Sequence, residues 1–363
     1  MKTLIAAYSA GGLQDSGAAR LREAICSRLP RVGLTFQQNC VALTALAVLQ
    51  WEITFLIMGL GCCILILYLL TTPLWPISAL YLTWLTADWR TPEKGGRRSA
   101  WVRGWSVWKY FRNYFPIKLV KTCDLPSNRN YVFGYHPHGI MSVGAFCNFC
   151  TEATDFSKTF PGIKPSLATL AGQFRLPIFR DYLMAGGLCP VSRGAIDHLL
   201  SQPGCGQAVV IVIGGAAESL KCRPGSTHLM LLKRRGFVRL ALRHGADLVP
   251  VFSFGENDIF HQVALPEGSW AQCLQTRFQK LVGFAPCLFH GRSMLGKHVF
   301  GLLPYSLPIH TIVGEPVSVP KIDEPTDEDV ERFHTLYVES LVKVFNSNKL
   351  KYGLREVDRL VLD

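Results

Sequence analysis

At 363 residues the chain is long enough to bury a sizeable core, as one large α/β domain or as two smaller ones. Its hydrophobic fraction of 49% is high for a soluble enzyme, and its net charge of +12 points to an anionic partner. With no zinc finger, homeodomain pattern or aromatic RNP-type motif present, nucleic acid is set aside in favour of lipid headgroups or a phosphorylated cofactor.

Residues 1–40 are polar, contain Gly and Arg and lack periodicity, which predicts a mobile cytosolic tail. Met1–Ala10 carries one lysine and is too short for the apolar region of a secretory signal. The apolar excess then concentrates between Val41 and Ala87, and from Ile53 to Ala87 there is no charged side chain. Ile53–Leu70 at helical rise would span about 27 Å, close to the roughly 30 Å of a hydrocarbon core. Thr71-Thr72-Pro73 and Pro76 interrupt it, and the shorter segment to Ala87 carries Trp75, Tyr81 and Trp84, which favour the membrane interface. Basic residues flank both ends: Arg20, Arg22, Arg28 and Arg31 before, Arg90, Lys94, Arg97, Arg98, Arg103, Lys109 and Arg112 after. That symmetry predicts a membrane-embedded helical hairpin over 41–90, crossing twice or re-entrant, with both chain ends cytosolic.

Residues 91–363 read as a cytosol-facing α/β domain. Tyr131–Tyr135, Ala208–Ile213, Leu248–Phe254 and Ile309–Val313 are rich in Val, Ile and Phe and end in Gly, Pro or polar clusters, as buried strands do. Ile196–Ser201, Phe237–His244 and Asp327–Asn346 read as helices, the last with Thr326 as its cap and Asp329 three residues on. Strand–helix alternation implies a mixed, partly parallel sheet flanked by helices. The twelve cysteines are irregularly spaced, and two adjoin within the apolar run, so they read as reduced thiols. Cys147-x-x-Cys150 has no second pair, and neither a metal site nor a tightly bound cofactor is expected.

In open α/β sheets ligands bind beyond the carboxyl ends of the strands. Three strands run there into polar clusters: His136-Pro137-His138-Gly139, Gly214-Gly215-Ala216-Ala217-Glu218 and Ser253-Phe254-Gly255-Glu256. Proline fixes the backbone between the two imidazoles and glycine permits an unusual angle, so the first turn can aim a histidine as a general base must be aimed. Glu218 is the carboxylate expected to orient it. Gly214-Gly215 reads either as a source of N–H donors for a phosphate or oxyanion, or as a tight turn. Lys233, Arg234, Arg235, Arg239 and Arg243 are a basic group that could meet phosphates or form a solvated helix face. No G-x-S-x-G elbow occurs, which argues against a covalent serine lipase and for direct transfer to a lipid alcohol.

Tyr114-Phe115-Pro116, Tyr135-His136-Pro137-His138-Gly139, Gly214-Gly215-Ala216-Ala217-Glu218-Ser219 and the block from Arg235-Gly236-Phe237 through Val249-Pro250 to Phe254-Gly255-Glu256 resemble the second diacylglycerol acyltransferase family. That family is unrelated to the multi-span membrane-bound O-acyltransferases and includes monoacylglycerol acyltransferases and wax-ester synthases. The resemblance covers nearly the whole chain. It implies a glycerolipid acyltransferase-like fold, acyl-CoA as co-substrate, triacylglycerol as product, and residence in the endoplasmic reticulum membrane and on lipid droplets.

Phe115 and Tyr135 are similar to the diacylglycerol branch, with monoacylglycerol as the alternative acceptor. The wider glycerolipid acyltransferases place an aspartate five residues after their histidine; here Met141 and Val143 stand there. The expected machinery is therefore His138 with His136 and Glu218, supported by Pro137, Gly139, Tyr114, Phe115, Pro116, Gly214 and Gly215. Arg193, Arg235, Arg239 and Arg243 are expected at the CoA phosphates. A non-catalytic lipid-droplet scaffold is the rival from another class, and self-association into a homo-oligomer is left open.

Overall fold

The computed structural model describes residues 41–363 apart from 264, 267, 285 and 294–299; the tail expected over residues 1–40 lies outside the described residues. Contacts divide the chain after Thr44, and the sheet with its covering helices belongs to the unit Ala45–Asp363. Seven strands form the main sheet: β1 (Lys118–Lys121), β2 (Tyr131–His136), β3 (Lys164–Thr169), β4 (Leu188–Pro190), β5 (Gln207–Val212), β6 (Asp247–Phe254) and β7 (His310–Val313). Their order is β1-β7-β6-β2-β5-β3-β4. The block β6-β2-β5-β3-β4 is parallel throughout, whereas β7 runs antiparallel to β6 and parallel to β1. The sheet is therefore mixed, with parallel strands at its centre.

Helices cover both faces, and β2 shows how its sequence sorts them. Tyr131, Phe133 and Tyr135 enter one core, with α3 (Ser106–Tyr114) and α4 (Val143–Cys150) supplying Trp108, Phe111, Phe146 and Phe149. Val132 enters the other, where α5 (Arg193–Leu200), α6 (Gly236–His244) and α7 (Asp327–Asn348) contribute Ile196, Phe237, Tyr337 and Leu341. This is the two-residue alternation of a strand buried on both sides. Helix α7 starts in a capping box: Thr326 Oγ accepts from the Asp329 N–H, and the Asp329 carboxylate accepts from the Thr326 N–H at 3.0 Å.

One described helix, α1 (Val41–Leu70), is long and apolar enough to cross a membrane. Beyond Ile53 most of its large side chains are exposed, including Leu60 and Leu67, but Val48 and Trp51 belong to the core beneath α3 and α4. A 13-residue helix, α2 (Trp75–Ala87), follows and touches α1, where Ser78 Oγ donates to the Ile66 carbonyl at 3.3 Å. Of the basic cluster expected at a membrane surface, Arg103 is buried and donates to the Phe149 and Gly186 carbonyls, both at 2.8 Å, and to Glu152. Arg97 is paired with Asp88 and Asp181. Part of the positive charge thus fastens the domain together.

Candidate active site

Because β2, β5 and β6 are neighbouring parallel strands, the three polar clusters meet at one edge of the sheet. The two histidines of the first cluster have opposite environments. His136 ends β2 and is fully buried; its Nε2 is hydrogen-bonded to the Tyr337 hydroxyl at 2.9 Å. Burial pushes its pKa down to about 3, so the ring is neutral and locked in the core. Gly134, two residues earlier, makes room for that tyrosine, because a Cβ there would overlap its hydroxyl.

His138 is only half-buried. Its Nδ1 lies 3.0 Å from the Gly139 carbonyl, and a ring nitrogen can meet a carbonyl only as a donor. The proton is thereby held on Nδ1, leaving the Nε2 lone pair as the basic site. Burial lowers the pKa, while the Gly139 carbonyl and the Glu218 carboxylate act in the opposite sense.

Glu218 does not reach the ring. Its carboxylate, almost wholly buried, accepts from the backbone N–H of His138 at 2.7 Å and of Met230 at 2.8 Å. Gly214 has a steric reason to lack a side chain, because a Cβ there would overlap the Glu218 carboxylate. Gly215 adopts φ +61°, in the left-handed region that favours glycine. The tight-turn reading of Gly214-Gly215 thus has a concrete cause, namely space for the carboxylate that holds the loop.

A second buried carboxylate supports the loop from the other side. Glu256 accepts from the Tyr135 hydroxyl at 2.7 Å and from the Gly144 N–H at 3.0 Å, fixing the start of α4. A Cβ on Gly139 would lie 2.9 Å from the Glu256 Cγ, and Gly139 has φ +62°. Sequence reasoning placed Glu256 at a strand end without giving it a role. The signal was the tetrapeptide Ser253-Phe254-Gly255-Glu256 closing an apolar run, but its partner Tyr135 lies 121 positions away.

Tyr114 and Phe115 are buried in the core that Val48 and Trp51 of α1 also enter, whereas Pro116 is exposed. Tyr114 donates to the Pro304 carbonyl at 2.5 Å and accepts from Arg292 Nε at 2.8 Å, and the Phe115 carbonyl accepts from the Ile309 N–H at 3.0 Å. This tripeptide fastens the segment leading into β7. Among the four arginines, Arg193, Arg239 and Arg243 line a groove of about 300 Å³ with Ile211 and Phe237. Arg239 is also ion-paired with Asp327, and Arg235 points to α7, 2.6 Å from Glu331. Cys147 and Cys150 lie buried in α4 with thiols pushed up to about 12 by burial, an apolar setting for both.

The profile of the diacylglycerol acyltransferase family matches residues 67–363. The chain is 57% identical to diacylglycerol O-acyltransferase 2 of Xenopus tropicalis over 99% of both proteins. It is 58% identical to the Homo sapiens protein of that name, over 88% of this chain and 82% of the human one. A human 2-acylglycerol O-acyltransferase 3 is 54% identical over 90% of this chain and 95% of its own length. The solved 1-acyl-sn-glycerophosphate acyltransferase of Thermotoga maritima aligns at TM-score 0.39 and 11% identity, covering 88% of this chain and 99% of that one, a likeness too slight to argue from. On the strength of the profile and of the near-full-length relatives, the chain belongs to the diacylglycerol acyltransferase family.

Proposed function

We propose that this protein transfers a fatty acyl group from acyl-CoA to the free hydroxyl of diacylglycerol, making triacylglycerol, with His138 as general base. The observation that carries this reading is the half-buried imidazole whose Nδ1 is held by the Gly139 carbonyl at the carboxyl end of a central strand. His138 Nε2 takes the hydroxyl proton as the oxygen attacks the thioester carbonyl. The tetrahedral intermediate collapses, the C–S bond breaks, and the imidazolium returns the proton to the leaving CoA sulfur. No acyl-enzyme is needed. His136 and Tyr337 form the rigid base of the loop, and Glu218 and Glu256 brace its backbone. Acyl-CoA enters as a co-substrate, with Arg193, Arg239 and Arg243 along a groove suited to its phosphates and Arg235 beside them.

Helices α1 and α2 are read as a hairpin inserted from the cytosolic side of the endoplasmic reticulum or droplet membrane, delivering the acceptor from the lipid phase. In this arrangement residues 1–40 form a cytosolic tail, 41–90 the membrane hairpin and 91–363 the acyltransferase domain. Withdrawing the thioester from water favours transfer over hydrolysis.

Glu218 supports the base through the backbone, and this has a measurable consequence. Glu218→Gln retains one acceptor oxygen for two N–H groups, and turnover in microsomes is expected to fall about tenfold, the equivalent of one lost hydrogen bond to a charged group. Unchanged turnover would remove Glu218 from the mechanism.

The second reading is a monoacylglycerol acceptor, favoured by the 54% identity to the 2-acylglycerol enzyme. Detergent-purified protein offered both acceptors in competition, with labelled acyl-CoA, decides between them. Label predominantly in triacylglycerol supports the first reading; label predominantly in diacylglycerol replaces it with the second. A non-catalytic scaffold would yield neither.

A further inference from the structure

Helix α1 has a face sheltered by the domain and a face exposed. Ala45, Ala47, Val48, Trp51 and Glu52 lie on the sheltered face, whereas Leu46, Ile53, Leu56, Ile57 and Leu60 are exposed. Glu52 is therefore sheltered, with the exposed Ile53 next to it in the chain. Its side chain is 2% exposed, and neither carboxyl oxygen has a hydrogen-bond partner among the described residues. The indole N–H of Trp51 is likewise buried without an acceptor among the described residues, although its ring packs on Phe111 and Phe146, both at 5.2 Å between centroids.

Beyond these two residues the helix loosens into a π turn over Thr54–Met58, a feature that recurs at functional sites. The surroundings connect this point to the catalytic loop. Phe146 lies in the first turn of α4, the helix whose Gly144 N–H is held by Glu256 beside Gly139. Tyr114 is close enough for the Glu52 charge to act on its hydroxyl.

A buried carboxylate with no donor is costly, and so is a buried indole N–H with no acceptor. Adjacent on one helix, beside the exposed Ile53, they present one acceptor group and one donor with nothing in the described chain to satisfy either. An acylglycerol offers the complement: a hydroxyl that donates, ester carbonyls that accept, no charge, and tails that match the exposed leucines and isoleucines. A phosphate-bearing lipid would have to bury its charge in this apolar setting, at high cost.

We propose that Glu52 and Trp51 form a polar subsite that receives the head of a neutral acylglycerol as it leaves the bilayer. The acceptor hydroxyl donates to a Glu52 carboxyl oxygen and an ester carbonyl accepts from the Trp51 indole. The assignment rests on the acyl-transfer reading and adds the place where the acceptor is staged before it reaches His138.

The test uses full-length protein in mixed micelles, with KM for diacylglycerol and for acyl-CoA measured separately and thermal unfolding followed in parallel. Glu52→Leu is expected to raise the acceptor KM about fivefold or more and to leave the acyl-CoA KM within about twofold. It should also raise Tm, because a leucine needs no partner in that position. Glu52→Gln, still an acceptor, should show a smaller rise in KM. Trp51→Phe, which keeps the packing and deletes the N–H, should raise the acceptor KM about threefold. An acceptor KM unchanged in both Glu52→Leu and Trp51→Phe overturns the subsite, as does a parallel rise in both KM values. Failure of the wild-type protein to acylate any acylglycerol would instead remove the acyl-transfer reading beneath it.

Discussion

Replacing His138 with alanine should lower acyl transfer about 10²- to 10⁴-fold while leaving the protein folded. That range corresponds to roughly 3–5.5 kcal/mol of barrier, the contribution of a positioned general base. The fold should tolerate the change because the ring is half-buried and its hydrogen bond at Nδ1 is to the neighbouring Gly139 carbonyl. His136→Ala should behave in the opposite manner. It opens a cavity in a sealed core and deprives the Tyr337 hydroxyl of a partner, at a cost of about 2–4 kcal/mol of stability. Parallel measurements of microsomal transfer and of unfolding in detergent separate the two.

The pH profile gives an independent check on the same residue. Burial holds the His138 pKa below its ordinary value, so the ring is neutral and competent at pH 7. Protonation on the acid side removes the base, and activity should therefore fall as pH drops through a value below about 6.5. Residual activity of His138→Ala should lack that limb.

Glu256→Leu is expected to produce the other large effect. The substitution leaves the Tyr135 hydroxyl and the Gly144 N–H buried without their acceptor. At about 1–3 kcal/mol for each buried donor left unsatisfied, the loss is several kcal/mol, and the loop carrying His138 loses its support beside Gly139. Activity should fall with stability, by at least tenfold at temperatures where the variant is still folded.

Glu256 also carries a pH signature. Burial pushes its carboxyl up to about 7, against the pull of Tyr135 and the Gly144 amide. A carboxyl raised above its unfolded value favours the folded state most when protonated. Its contribution is fully present below about pH 4.5 and is lost as pH rises through about 7. Wild-type protein should thus lose stability between pH 5 and pH 8 from this group, and Glu256→Gln should show a flatter profile. Equal slopes in the two proteins would remove Glu256 as the titrating group.

The legible parts of the fold are those where one residue type reports one environment. β2, β5, β6 and β7 are apolar runs because each is covered on both faces, and the carboxyl ends of β2, β5 and β6 converge because neighbouring parallel strands end at one edge. β1, β3 and β4 escaped that reading for physical reasons. β1 is an edge strand with exposed lysines at both ends, β3 includes Pro165 and Ser166, and β4 is only three residues long. Helix α5 begins at Arg193, three residues earlier than its apolar pattern, because Ser192 caps it by accepting from the Ala195 N–H.

At the site, the His-Pro-His-Gly loop was visible in four consecutive letters, but the division of labour within it was not. Which ring is sealed depends on Tyr337 arriving from α7 and on Gly134 leaving it space. Glu218 was found by its place after β5, yet its contact is with a backbone N–H that no residue pattern encodes. The apolar run of α1 hid a further distinction, since the same kind of side chain faces protein at Val48 and is exposed at Leu46. Arg103 shows the converse, a basic residue read as facing a membrane that instead gathers carbonyls inside the domain.

The central claim is direct passage of the acyl group from CoA sulfur to a glycerolipid oxygen, with the His138 imidazole taking the proton. Purified protein incubated first with labelled acyl-CoA alone, then chased with diacylglycerol, tests it in one experiment. Direct transfer predicts no label on protein before the chase, labelled triacylglycerol after it, and almost none from His138→Ala. Label bound covalently to the wild-type chain, or triacylglycerol formed by the alanine variant at the wild-type rate, would contradict it.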